Sequence, residues 1–441
     1  MLKRLVEPRA AAEEVAIGAA AYPAPFAPGL EFNAPVHGAW NIVHTGMLLP
    51  ESIQIYVCAA NCMRGVVLTA AEMNAADRFS HVILRERDLL DGTAEQTTIE
   101  GVSDVLQKRG RLPRAVLLFT VCLHHFLGCD LNHIYRELER RFPTVAFLRC
   151  YMDPILQKNG LTPEQKLRKA LYDPLQPRPA QPNVTALLGS DFALDADGDI
   201  PQMLARNGAA LRQLPDCRTF DDYLSMGEAG LLLAVCPAAK YGAEMLSQRL
   251  DRPLLYLPAS FSYAELTEQR RALCAALHIP FVSPDVEIAD CEAALDAAGR
   301  EIGQTPVHID YTAHPRPLGL ARLLLAHGFR VERVFLERVS PEEAEDFRAL
   351  QRTAPSLCLT STVRPEARVR ARGSTEKTLA IGQKAAWFAD TPHFVNLVGG
   401  GGLHGFSGVK RMAALLLDAY RTEQDTRDIV PRKGLGCESC I

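Results

Sequence analysis

The chain has 441 residues, 48% of them hydrophobic and 23% charged, with a formal net charge of −4. That length predicts two or three α/β-sized domains, and the composition excludes disordered and fibrous classes. The mild acidity offers no basic field for nucleic acid, and no apolar run is long enough to span a membrane.

Near the start, Lys3, Arg4, Glu7, Arg9 and Glu13 interrupt any signal-like stretch, so a cytoplasmic protein is expected. Its 12 cysteines then point to metal ligands or buried thiols rather than disulfides. The first dense group is Cys58 and Cys62, and the second is Cys122 and Cys129, with His124 and His125 between them. Thiolates select zinc, copper(I) or iron–sulfur clusters. Cys-x3-Cys and Cys-x6-Cys miss the tight knuckles of structural zinc, so an iron–sulfur cluster fits the spacing better. Residues 115–120 form an apolar strand ahead of the Cys122 loop, a helix is expected over 131–141, and the next strand over 145–148. This strand–loop–helix alternation predicts parallel, doubly wound sheets.

The proline-rich stretch 173–182 reads as a linker. A second unit follows, with strands over 183–189, 231–235 and 254–257, a helix over 200–207, and Cys236 at a strand end. The third unit has strands over 306–311, 329–335 and 378–381, and a helix over 318–327 stopped by Gly328. It closes with the glycine run 399–402 and a helix over 408–420. The predicted organisation is thus residues 1–180, 181–300 and 301–425 as three Rossmann-like α/β units with parallel sheets around a central cleft, and 426–441 as a tail carrying Cys437 and Cys440. Ligands are expected beyond the carboxyl ends of the strands. Gly400 and Gly401 would let the backbone approach a cofactor or anionic group. Tyr311, His314 and Arg316 follow a strand, with Gln383 and Lys384 after another, and Arg316 has the geometry for a substrate carboxylate. No Gly-Lys-Ser/Thr phosphate loop occurs, so the chain is not expected to bind ATP.

Several segments together resemble the component 1 family of nitrogenases and nitrogenase-like reductases, α-type subunits above all, over residues 44–420. His44-Thr-Gly46 with Cys62 is similar to the stretch holding the family's first bridging-cluster cysteine. Leu84-Arg-Glu-Arg-Asp88-Leu-Leu-Asp-Gly92 and Thr120-Val-Cys122-Leu-His-His-Phe-Leu-Gly128-Cys-Asp130 match two further segments, the latter with another cluster cysteine. Cys236-Pro-Ala-Ala-Lys-Tyr241 resembles the segment whose cysteine anchors one end of the active-site metallocluster. Pro392-His393, followed by the glycine run and His404-Gly-Phe-Ser-Gly408, resembles the segment whose histidine anchors the other end. The chain departs from the family between Cys62 and Arg85, where a further cluster cysteine is missing. Cys58 or Cys129 would fill that place, favouring a four-iron cluster over a larger bridging one.

The resemblance implies a reductase subunit that pairs with a component 1-type chain as a homo- or heterodimer. It would take electrons from an ATP-dependent iron–sulfur protein through a cluster on Cys58, Cys62, Cys122 and Cys129. The cleft near Cys236, His314, Arg316, His393 and His404 would hold substrate or a second metallocluster. Two other readings stay open at this point: a metallocofactor assembly scaffold, and a non-redox binding protein of the same architecture.

Overall fold

The computed structural model describes residues 14–29, 42–153, 160–364, 367 and 376–425. Cys437 and Cys440 lie outside the described residues. Among the described residues fourteen strands form three sheets. They are β1 (Glu14–Ala16), β2 (Ser52–Cys58), β3 (Phe79–Ile83), β4 (Ala115–Val121), β5 (Ala146–Met152), β6 (Gln181–Leu188) and β7 (Ala210–Gln213). The remainder are β8 (Ala229–Ala234), β9 (Leu254–Tyr256), β10 (Val307–Asp310), β11 (Val331–Phe335), β12 (Cys358–Thr360), β13 (Leu379–Ile381) and β14 (Phe394–Val395).

The first sheet has the order β3-β2-β4-β5 and the second β7-β6-β8-β9, both wholly parallel. Strands β2 and β4 are buried along their full length, as central parallel strands covered on both faces must be. Tyr56 and Phe119 stack across them with ring centroids 4.3 Å apart, a pair worth about 0.5–1.5 kcal/mol beyond its burial. The inner faces of the two sheets share one core that contains Tyr56, Phe119, Val184 and Leu232. Helix Pro163–Tyr172 lies in that core, started by Pro163 and by Thr162, whose hydroxyl accepts from Gln165 N at 3.2 Å.

The third sheet runs β1-β12-β11-β10-β13-β14 and is parallel except at its edge. There β1 pairs antiparallel with β12, Glu14 opposite Thr360, and Ile17 is fully buried in the third core. Residues 14–17 therefore lie on the third sheet and not on the first, unlike the contiguous unit 1–180 that sequence reading predicts. That strand is three residues long and carries no pattern of its own, so only its partner defines it. The doubly wound α/β architecture agrees with expectation, and helix Leu131–Arg141 begins where Asp130 accepts from His133 N at 3.0 Å.

Glu343, 2% exposed, accepts from Leu318 N at 2.6 Å and Gly319 N at 3.3 Å at the start of helix Pro317–Ala326. Burial nonetheless pushes its carboxyl up from 4.5 to about 8. The folded chain then holds a proton that the unfolded chain has released. Stability from this group is complete below the unfolded value of 4.5 and is lost as pH rises through about 8. Glu343→Gln is expected to flatten that loss in urea melts across the window. An unchanged slope would show the carboxyl ionised throughout.

Candidate functional site

In a doubly wound sheet the crevice opens where the strand order reverses, at the carboxyl ends of the two strands that leave in opposite directions. In the first sheet these are β2 and β4. Cys58 ends β2, Cys62 closes the short turn after it, and Cys122 opens the helix after β4. Cys58 is buried, Cys122 half-buried and Cys62 exposed, so the group runs from the core to the surface. Burial pushes the Cys58 thiol up to about 12, and Cys62 and Cys122 raise it further because three thiolates repel at this range. Burial also raises Cys122, with Asp153 and Cys62 adding to it. Cys129 does not join them. It packs against the core on the opposite face of the sheet, where burial and Glu95 raise its thiol. The short helix Cys122–Phe126 carries the chain around the strand end before Cys129 is reached.

His124 is a structural residue. It is 2% exposed, its Nδ1 accepts from Val121 N at 3.3 Å, and its Nε2 meets Thr98 Oγ1 at 3.2 Å. Burial lowers its pKa to about 4, which leaves the ring neutral. Two exposed apolar side chains belong to the same strand ends: Ile83, paired with Cys58 in the ladder, is 38% exposed, and Phe126, on the helix that Cys122 opens, is 66% exposed.

The second sheet reverses between β6 and β8, and Cys236 stands there, at the start of helix Pro237–Leu250. Gly189, after β6, has φ +92°, and a Cβ there would lie 2.5 Å from Ala239 Cβ and 3.0 Å from Cys236 Cβ. Only glycine allows the two loops to close so tightly. Burial pushes the Cys236 thiol up to about 11 against the pull of Arg168. That arginine is an unanticipated member of the site. Its side chain is 5% exposed, and it bonds Glu164 Oε1 and Asp191 Oδ1, each at 2.8 Å. Its one sequence signal is the Glu164–Arg168 spacing of four on a helix; Asp191 is a partner that only the fold supplies.

The third sheet reverses between β10 and β13. Beyond β13, Lys384 is buried and donates to Tyr311 and, at 3.0 Å, to Thr362, while Tyr311 donates to Glu337. His314, beyond β10, accepts on Nδ1 from Arg316 N at 3.0 Å and packs on Phe261 at 4.5 Å. Burial, with Arg316 and His404 nearby, drops its pKa to about 3. Arg316 is not open to a substrate carboxylate. Its guanidinium is 4% exposed and already meets Glu265 at 3.2 Å and Asp346 at 3.1 Å.

The glycine run is likewise committed. Gly399 N and Gly400 N donate to Thr312 O and Ala313 O, both at 2.7 Å, and Gly401 N donates to Val398 O at 2.8 Å. Gly400 and Gly401 therefore offer no free amide to an anion; Gly400 lies against His314 and Gly401 against Leu397.

Two comparisons place this geometry among known proteins. A model of the family described as nitrogenase component 1 type oxidoreductase matches residues 56–396. The chain belongs to that family. The solved structure titled "Nitrogenase Cp1 at pH 6.5" superposes with a TM-score of 0.63 at 13% identity, covering 90% of this chain and 94% of the other. "Nitrogenase Cp1 at pH 5" gives 0.58 at 12% identity, covering 93% and 94%. These identities show a shared fold. No curated protein matches the chain.

The metal groups that this component 1 family implies can be tested on the residues present. Cys58, Cys62 and Cys122 fit an iron–sulfur cluster in donor type and in gathering at one sheet end. Among the described residues no three His, Cys, Asp or Glu side chains converge on a single ion. A cluster's thiolates each bind a different iron, so convergence on one point is not required. The second, two-anchor metallocluster does not fit. His393 precedes β14 and so stands at the amino edge of the third sheet, the edge away from the switch-point crevice. Its Nδ1 lies 3.1 Å from Ala419 O at the end of helix Gly405–Arg421, and its Nε2 is 3.9 Å from Glu423. Cys236 is at the carboxyl edge of the second sheet, so the two residues do not both stand at a switch-point crevice, and His393 is engaged with helix Gly405–Arg421 instead. The imidazole on the Cys236 side is His404, whose Nε2 meets Leu257 O, just past β9, at 2.9 Å.

Proposed function

We propose that this chain is the redox subunit of a nitrogenase-like reductase, with an iron–sulfur cluster held by Cys58, Cys62 and Cys122. The observation behind it is the meeting of these three thiols at the switch point of the first sheet. The exposed Ile83 and Phe126 at these strand ends support a fourth thiolate donated by a second component 1-type chain, because exposed apolar side chains favour a protein partner. When bound, the cluster supplies one-electron storage and transfer.

The chain's own contribution is electrostatic and steric. Cys58 on the buried side excludes water from one flank, while Cys62 on the exposed side leaves the other open to an electron-donating protein. The protons carried by the raised thiols of Cys58 and Cys122 must leave on metal loading, so loading is favoured by rising pH. With no phosphate loop in the sequence, nucleotide hydrolysis would fall to a separate iron–sulfur protein. Electrons would then reach a substrate in the cleft between the second and third sheets.

Anaerobic purification with iron and acid-labile sulfide analysis, followed by EPR of the reduced protein, tests this reading. One low-potential cluster signal is expected, with no ATPase activity from the chain alone. Iron-free protein after anaerobic reconstitution would refute it.

A further inference from the structure

Two helices in different units begin without a cap of their own. Helix Asp199–Arg206, after β6 of the second sheet, is preceded by Gly198, which has no side chain to offer. Helix Gly405–Arg421, after β14 of the third sheet, is preceded by His404, whose ring caps none of its amides. The first N–H groups of any helix lack partners inside it and must be satisfied from elsewhere. Here each helix satisfies the other. Asp199 accepts from Phe406 N on Oδ2 at 2.6 Å and from Ser407 N on Oδ1 at 3.4 Å. In return Ser407 Oγ accepts from Asp199 N at 3.2 Å and donates its own proton to His404 O at 3.2 Å. Asp199 and Ser407 are 208 positions apart, so only the fold pairs them.

The junction is fitted sterically as well as by hydrogen bonds. Gly405 has φ +72°, and a Cβ there would lie 2.3 Å from Asp199 Oδ2, so only glycine lets the carboxylate reach the helix start. Arg270 adds a further contact: its guanidinium is 3.8 Å from Asp199 and 4.9 Å from the centre of the Phe406 ring, and it is held by Glu287 at 2.7 Å. The side chains beside the two caps enter different cores, Ile200 and Leu204 that of the second sheet, Phe406 and Val409 that of the third. Each helix follows a parallel strand and so begins at the carboxyl edge of its sheet. The contact therefore joins the carboxyl edges of the second and third sheets.

We propose that Asp199 and Ser407 form a latch between the second and third units, in which the two helix starts are held together and released together. Each cap keeps the other in reach. Without the carboxylate, the start of helix Gly405–Arg421 is free to leave and takes Ser407 Oγ away from Asp199 N; without the hydroxyl, Asp199 is free to turn away from Phe406 N. Neither helix belongs to the first sheet, which carries the proposed cluster, so the test needs no metal.

Amide hydrogen exchange of the full-length protein, read by mass spectrometry on segments 195–206 and 402–412, measures the latch. Ser407→Ala removes the acceptor of Asp199 N and leaves Asp199 in place to accept from the other helix, yet it is expected to speed exchange in both segments about tenfold, the scale of a lost cap. Asp199→Ala should do the same. The double variant should exchange no faster than either single one, because an open latch has nothing further to lose. Gly405→Ala removes no polar group but drives a Cβ into Asp199, and it should speed segment 195–206 as well as its own. Strand segment 115–121 should keep the parental rate in every variant, which separates an open latch from a misfolded chain. Acceleration confined to the helix whose amide lost its acceptor would overturn the proposal. So would single effects that multiply in the double variant, or parental exchange of segment 195–206 in Gly405→Ala.

Discussion

Cys122→Ser is expected to strip most of the iron from anaerobically prepared protein and to bleach the broad visible absorption of the cluster. Cys58→Ser and Cys62→Ser should behave alike, because the three thiols stand together at one switch point. Serine is nearly isosteric, so lost iron with an unchanged far-UV spectrum separates ligation from misfolding. Cys129→Ser is the control: its side chain packs on the other face of the sheet, and its iron content should equal the parent's. Iron retained by all three variants would remove the cluster from this site. Iron lost from Cys129→Ser would place a fourth ligand within the chain and dispense with the partner's thiolate.

Arg168→Leu should carry the largest stability penalty of any single surface-neutral change near the cleft. The substitution fits the volume but strands Glu164 and Asp191 beside the half-buried Cys236, two carboxylates whose guanidinium is gone. Breaking a buried pair in this way costs about 3–5 kcal/mol, whereas replacing all its members with apolar groups is close to neutral. Urea unfolding should therefore show the transition of the shared first and second core shifted down in Arg168→Leu. The triple variant Arg168→Leu, Glu164→Leu, Asp191→Leu should recover a large part of the shift. A change within the noise for the single variant would mean that the carboxylates are solvated well enough to stand alone.

The alternation of apolar strands with amphipathic helices made the doubly wound architecture legible, and with it the strand-end positions of Cys58, Cys122 and Cys236. What sequence spacing cannot encode is the side of a sheet. Cys129 is seven positions from Cys122, yet the intervening helix turns it to the opposite face. His393 and His404 flank the same glycine run, and which of them faces the cleft depends on the register of β14 against β13, a ladder of two residue pairs. Arg316 and Arg168 looked available or went unnoticed because their partners, Glu265 and Asp191, are 51 and 23 positions away. The amides at Gly400 and Gly401 are spent for the same reason: their acceptors are set by tertiary packing.

The antiparallel seam between β1 and β12 also sets an order of events during synthesis. Residue 14 leaves the ribosome long before its ladder partner, residue 360, exists. At roughly 5–20 residues per second that delay is about 17–70 s. Throughout it Ile17, fully buried at the end, has no third core to enter, while the first two sheets can already assemble on their own shared interior. Strand β1 is thus the last of the described strands to be sewn in, and a chaperone that guards nascent apolar segments would hold it longest.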